Sequence, residues 1–187
     1  MPITLRPRLA DTCNPGGRRH AGFTLIELMI IVLIIGIFAL IAIPSFTQLV
    51  ANDRTQSQNN ELLSLLQFAR STAVEQRRQI KVCQDQDVWS VKADCEESTE
   101  ALRSMTLSGG ASVSASSSEL TFHYNGTGQS ASLLTCHDGD FANGYTIDVQ
   151  ASGRARSWAR GKNGPSSDDK MTTCTVQSGG DDDDGED

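Results

Sequence analysis

Three sets of residues in this chain have the types and spacing to do chemistry. The first is a single carboxylate, Glu27, the only charge in the apolar run 23–43. An ionisable side chain at membrane depth costs about 2.5–3.5 kcal/mol, so it marks a functional position by default. The second is a cationic cluster, Arg154, Arg156, Arg160 and Lys162, set around Trp158. Guanidinium groups for phosphates and an aromatic plate for bases are the elements of single-strand binding. The same cluster also suits an edge strand blunted by charge against aggregation. The third set is Cys83, Cys95, Cys136 and Cys174.

No set resembles a catalytic site. The chain has no Gly-rich phosphate loop, no GxSxG and no HExxH. Cys136, His137 and Asp138 are adjacent, and neighbours on a strand point to opposite faces, so they do not assemble a relay. His123 and His137 lack metal-ligand spacing and there is no CxxC pair. Neither catalysis, metal nor cofactor is expected.

The elements that must position these residues begin with the apolar run. Its 21 residues are long enough to cross a bilayer. The leader before it, residues 1–22, carries Arg6, Arg8, Arg18 and Arg19 against Asp11. Positive charge beside a span stays cytoplasmic, which puts the C-terminal part in the periplasm. A secretory signal peptide has a shorter apolar region and a small-x-small cleavage site, and neither fits here. With a net charge of −7, the whole chain is not a broadly basic nucleic-acid binder.

Residues 45–80 contain no glycine or proline, and Leu62, Leu65, Leu66, Ala69 and Ala73 recur at spacings of three and four. That marks one apolar face of an amphipathic helix, with Glu61, Gln67, Arg70, Arg77 and Arg78 opposite. Alternation and turn punctuation then predict strands over 79–83, 88–92, 101–107, 119–124, 130–136, 145–150 and 154–159. The Ser-rich stretch 112–118 reads as a loop. Together these predict an α+β fold, a long N-terminal helix packed on an antiparallel β-sheet head. Strand alternation over 154–160 sends Arg154, Arg156, Trp158 and Arg160 to one face, and Ala155, Ser157 and Ala159 to the other.

The cysteines follow from the compartment. Cys13 lies in the leader, leaving an even set of four for a periplasmic head, which implies two disulfides. Four cysteines allow three pairings. The pairing adopted joins Cys83 to Cys95 around 88–92, and Cys136 to Cys174 to tie the C-terminal segment to the sheet. Beyond it, residues 181–187 hold six acids and read as a solvated tail.

The stretch Gly22-Phe23-Thr24-Leu25-Ile26-Glu27-Leu28-Met29, after a basic leader, resembles the class III signal of type IV prepilins. That resemblance implies cleavage by a prepilin peptidase between Gly22 and Phe23, N-methylation of Phe23, and a filament-assembly role for Glu27. Pro44 falls where many pilins carry a helix-loosening proline. The segments Leu66-Gln67-Phe68-Ala69-Arg70-Ser71-Thr72-Ala73, Val82-Cys83, Cys136, Asp138-Gly139 and Ser152-Gly153-Arg154-Ala155-Arg156 resemble the GspH/FimT minor pilin family.

The family resemblance implies a pilin-like division of the chain: leader 1–22, membrane and assembly helix 23–43, spine helix 44–80, periplasmic head 81–177 and acidic tail 178–187. FimT-like members implicated in natural transformation bind DNA through a Gly-Arg-x-Arg element. Gly153, Arg154 and Arg156 occupy those positions, with Trp158, Arg160 and Lys162 beside them. The expected protein is an inner-membrane precursor with a periplasmic head, later part of a pilus fibre or tip. Its implied partners are the peptidase, other major or minor pilins and DNA read without sequence preference. A FimU-like pilin that primes assembly, and a GspH-like minor pseudopilin of type II secretion, are the alternatives.

Overall fold

The computed structural model describes residues 23–176. The leader, with Cys13, His20 and Gly22, and the acidic tail from residue 178 lie outside the described residues. The chain divides at Ile43 and Pro44 into two units, and helix α1, Leu25–Gln76, contributes to both.

In the first unit α1 starts at a cap written into the sequence. Thr24 Oγ1 accepts the Glu27 N–H at 3.3 Å, and the Thr24 carbonyl accepts the Leu28 N–H at 3.2 Å. Threonine followed three residues later by glutamate is the capping-box spacing. The apolar side chains that follow are exposed, from Phe23 at 75% to Leu40 at 78%. This stretch is long and apolar enough to cross a membrane.

The second unit is built on the other half of α1. Leu62, Leu65, Leu66, Ala69 and Ala73 are all buried, as their spacing predicts. The helix ends at Gln76, four residues before the predicted end at 80. Arg77 turns left-handed at φ 51°; its N–H reaches the Val74 carbonyl, and the Arg78 N–H reaches that of Ala73. This is a Schellman cap with arginine in place of glycine, and it frees Ile80 to begin a strand.

Among the described residues eight strands follow: β1 Ile80–Asp85, β2 Val88–Lys92, β3 Arg103–Thr106, β4 Ala111–Ala115, β5 Glu119–Phe122, β6 Ala131–His137, β7 Tyr145–Val149 and β8 Ala155–Ser157. They form two four-stranded antiparallel sheets, β3-β2-β1-β5 and β4-β6-β7-β8, rather than one. The larger of two core clusters among the described residues unites α1 with both sheets, and Trp89, Phe122, Leu133 and Ile147 are fully buried in it; Leu134, Cys136 and Met171 form the smaller.

The Ser-rich stretch is a correction. Residues 111–115 form β4, paired with β6, because Val113 points inward between Ser112 and Ser114. One buried valine in an Ala-Ser-Val-Ser-Ala alternation is enough to hold a strand when a partner is waiting. A short 3-10 turn over Phe141–Asn143 was not predicted; Asp140 caps it by accepting the Ala142 and Asn143 N–H groups.

Cys83 is bonded to Cys95, and Cys136 to Cys174. Beside the first bond, Lys81 pairs with Asp94 and Glu119 at 2.8 Å each. Hydrogen bonding to those carboxylates raises the Lys81 pKa, and hydrogen bonding to Lys81 lowers that of Asp94. A lowered carboxylate contributes stability above its unfolded value and loses it as pH falls. Acidification below about pH 4 should therefore lower the melting temperature of the native chain more than that of Asp94→Asn. Melts at neutral and acid pH check this, and parallel acid slopes for the two proteins would refute it.

Candidate nucleic-acid interface

Strand β8, which follows Arg154 and carries Arg156, is an edge strand, and its position is set by the turn before it. The β7–β8 hairpin closes with the Gly153 N–H on the Gln150 carbonyl at 2.8 Å and the Gln150 N–H on that of Arg154 at 3.0 Å. Gly153 is buried at φ 72°, and a Cβ there would stand 2.1 Å from the Gly126 carbonyl oxygen. Only glycine fits both the backbone angle and the approach. The neighbouring turn is drawn in further by the Gly128 N–H on the Ala151 carbonyl.

Arg70 of α1 ties the two turns together. Its Nε donates to the Gly126 carbonyl at 2.9 Å and its Nη2 to that of Ser152 at 3.4 Å. Sequence reasoning put Arg70 on the solvent face of the spine and missed this role. Helical periodicity reports which face a residue lies on, not how far a long side chain reaches.

The predicted single basic face divides in two. Arg154 is exposed and borders a groove of about 730 Å³ with Gln67, Arg70, Ser71, Val74 and Glu75 of α1. Arg156 lies opposite Asp148 in the ladder, its guanidinium 4.1 Å from the centre of the Trp158 ring. The Trp158 Nε1–H donates to Asp148 Oδ2, whose other oxygen accepts from Ser132 Oγ at 3.2 Å. Asp148 escaped the sequence reading, although an acid inside a predicted strand was the available signal.

Arg160 and Lys162 are engaged locally. Arg160 Nε donates to the Tyr145 hydroxyl at 3.2 Å, and Lys162 Nζ donates to the Ser167 carbonyl at 2.6 Å. The shared face expected for Arg154 to Arg160 therefore fails, because β8 stops at Ser157 and alternation stops with it. Ala155 packs against the core and Ser157 accepts from Asn59 Nδ2 at 2.8 Å, but Ala159, predicted inward, is exposed. Among the described residues, the Arg154 and Arg156 guanidiniums carry neither a hydrogen bond nor an ion pair. Cys136 is oxidised, so the adjacent His137 and Asp138, 3.2 Å apart, have no thiol to activate.

The profile of the family described as Type II transport protein GspH matches residues 58–153, from the spine helix to the Gly153 turn. That is half of the chain. It belongs to the GspH family.

Family members are minor pilins and pseudopilins, structural proteins rather than enzymes. A prokaryotic N-terminal methylation motif matches residues 17–43, which implies processing by a prepilin peptidase and is consistent with inner-membrane anchoring. The type IV major pilin protein PilA of Myxococcus xanthus is 45% identical over 60 residues. That match spans 32% of this chain and only 27% of PilA. The crystal structure of the type IV minor pilin FimU of Pseudomonas aeruginosa aligns with a TM-score of 0.56 at 24% identity, over 65% of this chain and 96% of FimU. The minor pseudopilin EpsH of the Vibrio cholerae type II secretion system aligns at 0.50 and 13% identity, over 60% of this chain and 99% of EpsH. At these identities the structures share the pilin fold.

Proposed function

We propose that this GspH-family chain is a minor pilin of a type IV pilus whose head binds DNA weakly for uptake. In this reading the peptidase cuts between Gly22 and Phe23, and Phe23 is methylated. Residues 23–43 hold the precursor in the inner membrane, and Glu27 aligns the subunit with other pilins. The head then carries Arg154 and Arg156 outward on the fibre, set by the turn at the buried Gly153. The supporting observation is a rigid, glycine-demanding turn that presents two arginines with no bond of their own among the described residues. Guanidiniums with no hydrogen-bond or ion-pair partner among the described residues are free to take phosphate oxygens.

Few cations can meet few phosphates, so binding should be micromolar or weaker and indifferent to base sequence. Labelled DNA titrated with full-length protein in detergent tests this. Arg154→Gln/Arg156→Gln should bind at least about tenfold more weakly and flatten the salt dependence by about 0.7–0.9 log units per lost contact. Deleting residues 181–187 should tighten binding by removing a negative field. Equal binding by wild type and the double variant removes DNA from the function.

Processing has its own test. Gly22→Glu should leave the precursor longer by its 22 leader residues, read by intact mass, because a side chain fills space that glycine leaves to the peptidase. Leader retained in assembled wild-type pili would overturn the pilin assignment of this region. A purely structural minor pilin, priming assembly with other subunits, is the second reading. It is favoured by the exposed apolar first half of α1 and needs no DNA.

A further inference from the structure

We propose that the groove beside Trp158 takes one unstacked nucleobase, so that the head prefers single-stranded to double-stranded DNA. This rests on the DNA reading above and names the form of the ligand. The groove holds about 480 Å³, within the range of small-molecule sites, and is bordered by Arg156, Trp158, Lys162 and the segment Gly164–Ser167. Its aromatic wall is preset. The indole N–H is tied to Asp148, which Ser132 holds in turn, and the Arg156 guanidinium carbon sits 4.1 Å from the centre of the ring. Its far wall is preset too, by Lys162 Nζ on the Ser166 and Ser167 carbonyls.

An ordinary edge-strand tryptophan has no need of such a recess. Here a half-buried indole, a stacked guanidinium and an ammonium border one open volume, with Asp148 behind the indole and Asp169 holding the Ser166 N–H of the far wall. Stacking accepts any base, because every base has a π-face. A duplex cannot offer a base to the groove without unstacking it, at a cost of about a few kcal/mol. Arg154 stands two residues before Arg156, roughly 7 Å along the chain, so a DNA strand whose phosphate meets Arg154 can bring a base further along it to Trp158.

The test uses full-length protein in detergent, a short oligothymidylate and a duplex of equal length. The chain has two tryptophans, and Trp89 is fully buried, so quenching of indole emission by the oligonucleotide reports on Trp158. Wild type should show quenching and tighter binding to the single strand. Trp158→Leu should weaken single-strand binding on the order of tenfold and duplex binding far less, the latter only through the Arg156 it no longer stacks, and Trp158→Phe should keep most of both. Should Trp158→Leu fail to fold, wild-type quenching and the Phe variant decide alone. Absent quenching, or equal losses on both ligands, overturns the base site while leaving DNA binding through Arg154 and Arg156 intact. Binding that ignores Arg154→Gln/Arg156→Gln overturns the DNA reading and the base site with it.

Discussion

Gly153→Ala is expected to destabilise the head by about 3 kcal/mol or more, a large fraction of a small domain's stability. Two costs combine. An alanine at φ 72° pays roughly 1–2 kcal/mol for left-handed backbone. Its Cβ would also stand 2.1 Å from the Gly126 carbonyl oxygen, so one turn must move and the Arg70 bond to that carbonyl is lost. Gly139→Ala separates the two costs. Gly139 has φ 77° with nothing within 4 Å of its Cβ position, so only the backbone cost applies there. Urea unfolding of both variants checks the difference, and equal losses would mean that the two turns do not approach closely. Because the affected turn carries Arg154, the Gly153 variant should lose DNA binding before it loses its fold.

Loss of the Cys136–Cys174 bond is expected to cost about 4 kcal/mol, against about 3 for Cys83–Cys95, in the chain-entropy account of cross-links. The bonds span 38 and 12 residues, and the longer loop restricts the unfolded chain more. The longer loop also contains β7, β8 and, of the candidate interface, Asp148, Gly153, Arg154, Arg156, Trp158 and Lys162. Cys136 is fully buried and packs with Leu134 and Met171, while Cys174 and Val176 lie against that cluster. Double-alanine variants at each pair, melted under oxidising conditions, should rank in this order. A reversed ranking would show that native packing, not loop length, governs the two bonds. Removing the longer cross-link should also free the segment that walls the Trp158 groove and so reduce base binding.

How far the sequence could be read depends on the range of the interaction involved. Thr24 and Glu27 cap the helix start within four residues, and Leu62, Leu65, Leu66, Ala69 and Ala73 announce the buried face by spacing alone. Both signals are local, and burial follows the helical period directly. The strand β2 runs over 88–92 as predicted, since flanking turns and alternation bound it. β4 was missed although its alternation was present, because serine on the outer face hid one inward valine.

The interface divides along the same line. Residue type marked Arg154, Arg156, Arg160 and Lys162 around Trp158 as a chemical unit, the family resemblance added Gly153, and a positive backbone angle there is a demand that glycine itself expresses. Where each side chain points was not local. Arg154 borders a groove made with a helix some eighty residues earlier in the chain, Asp148 holds Trp158 from the neighbouring strand, and Arg160 and Lys162 are drawn off by Tyr145 and Ser167. The sequence by itself determined the apolar N-terminal segment, the spine, an even set of cysteines for the head and the chemistry on offer, because period, length and composition act over a few residues. Only the tertiary structure decided the two-sheet split, the Arg70 clamp and the division of one basic strip into two grooves. Those depend on which distant backbones meet, and no spacing along the chain encodes that.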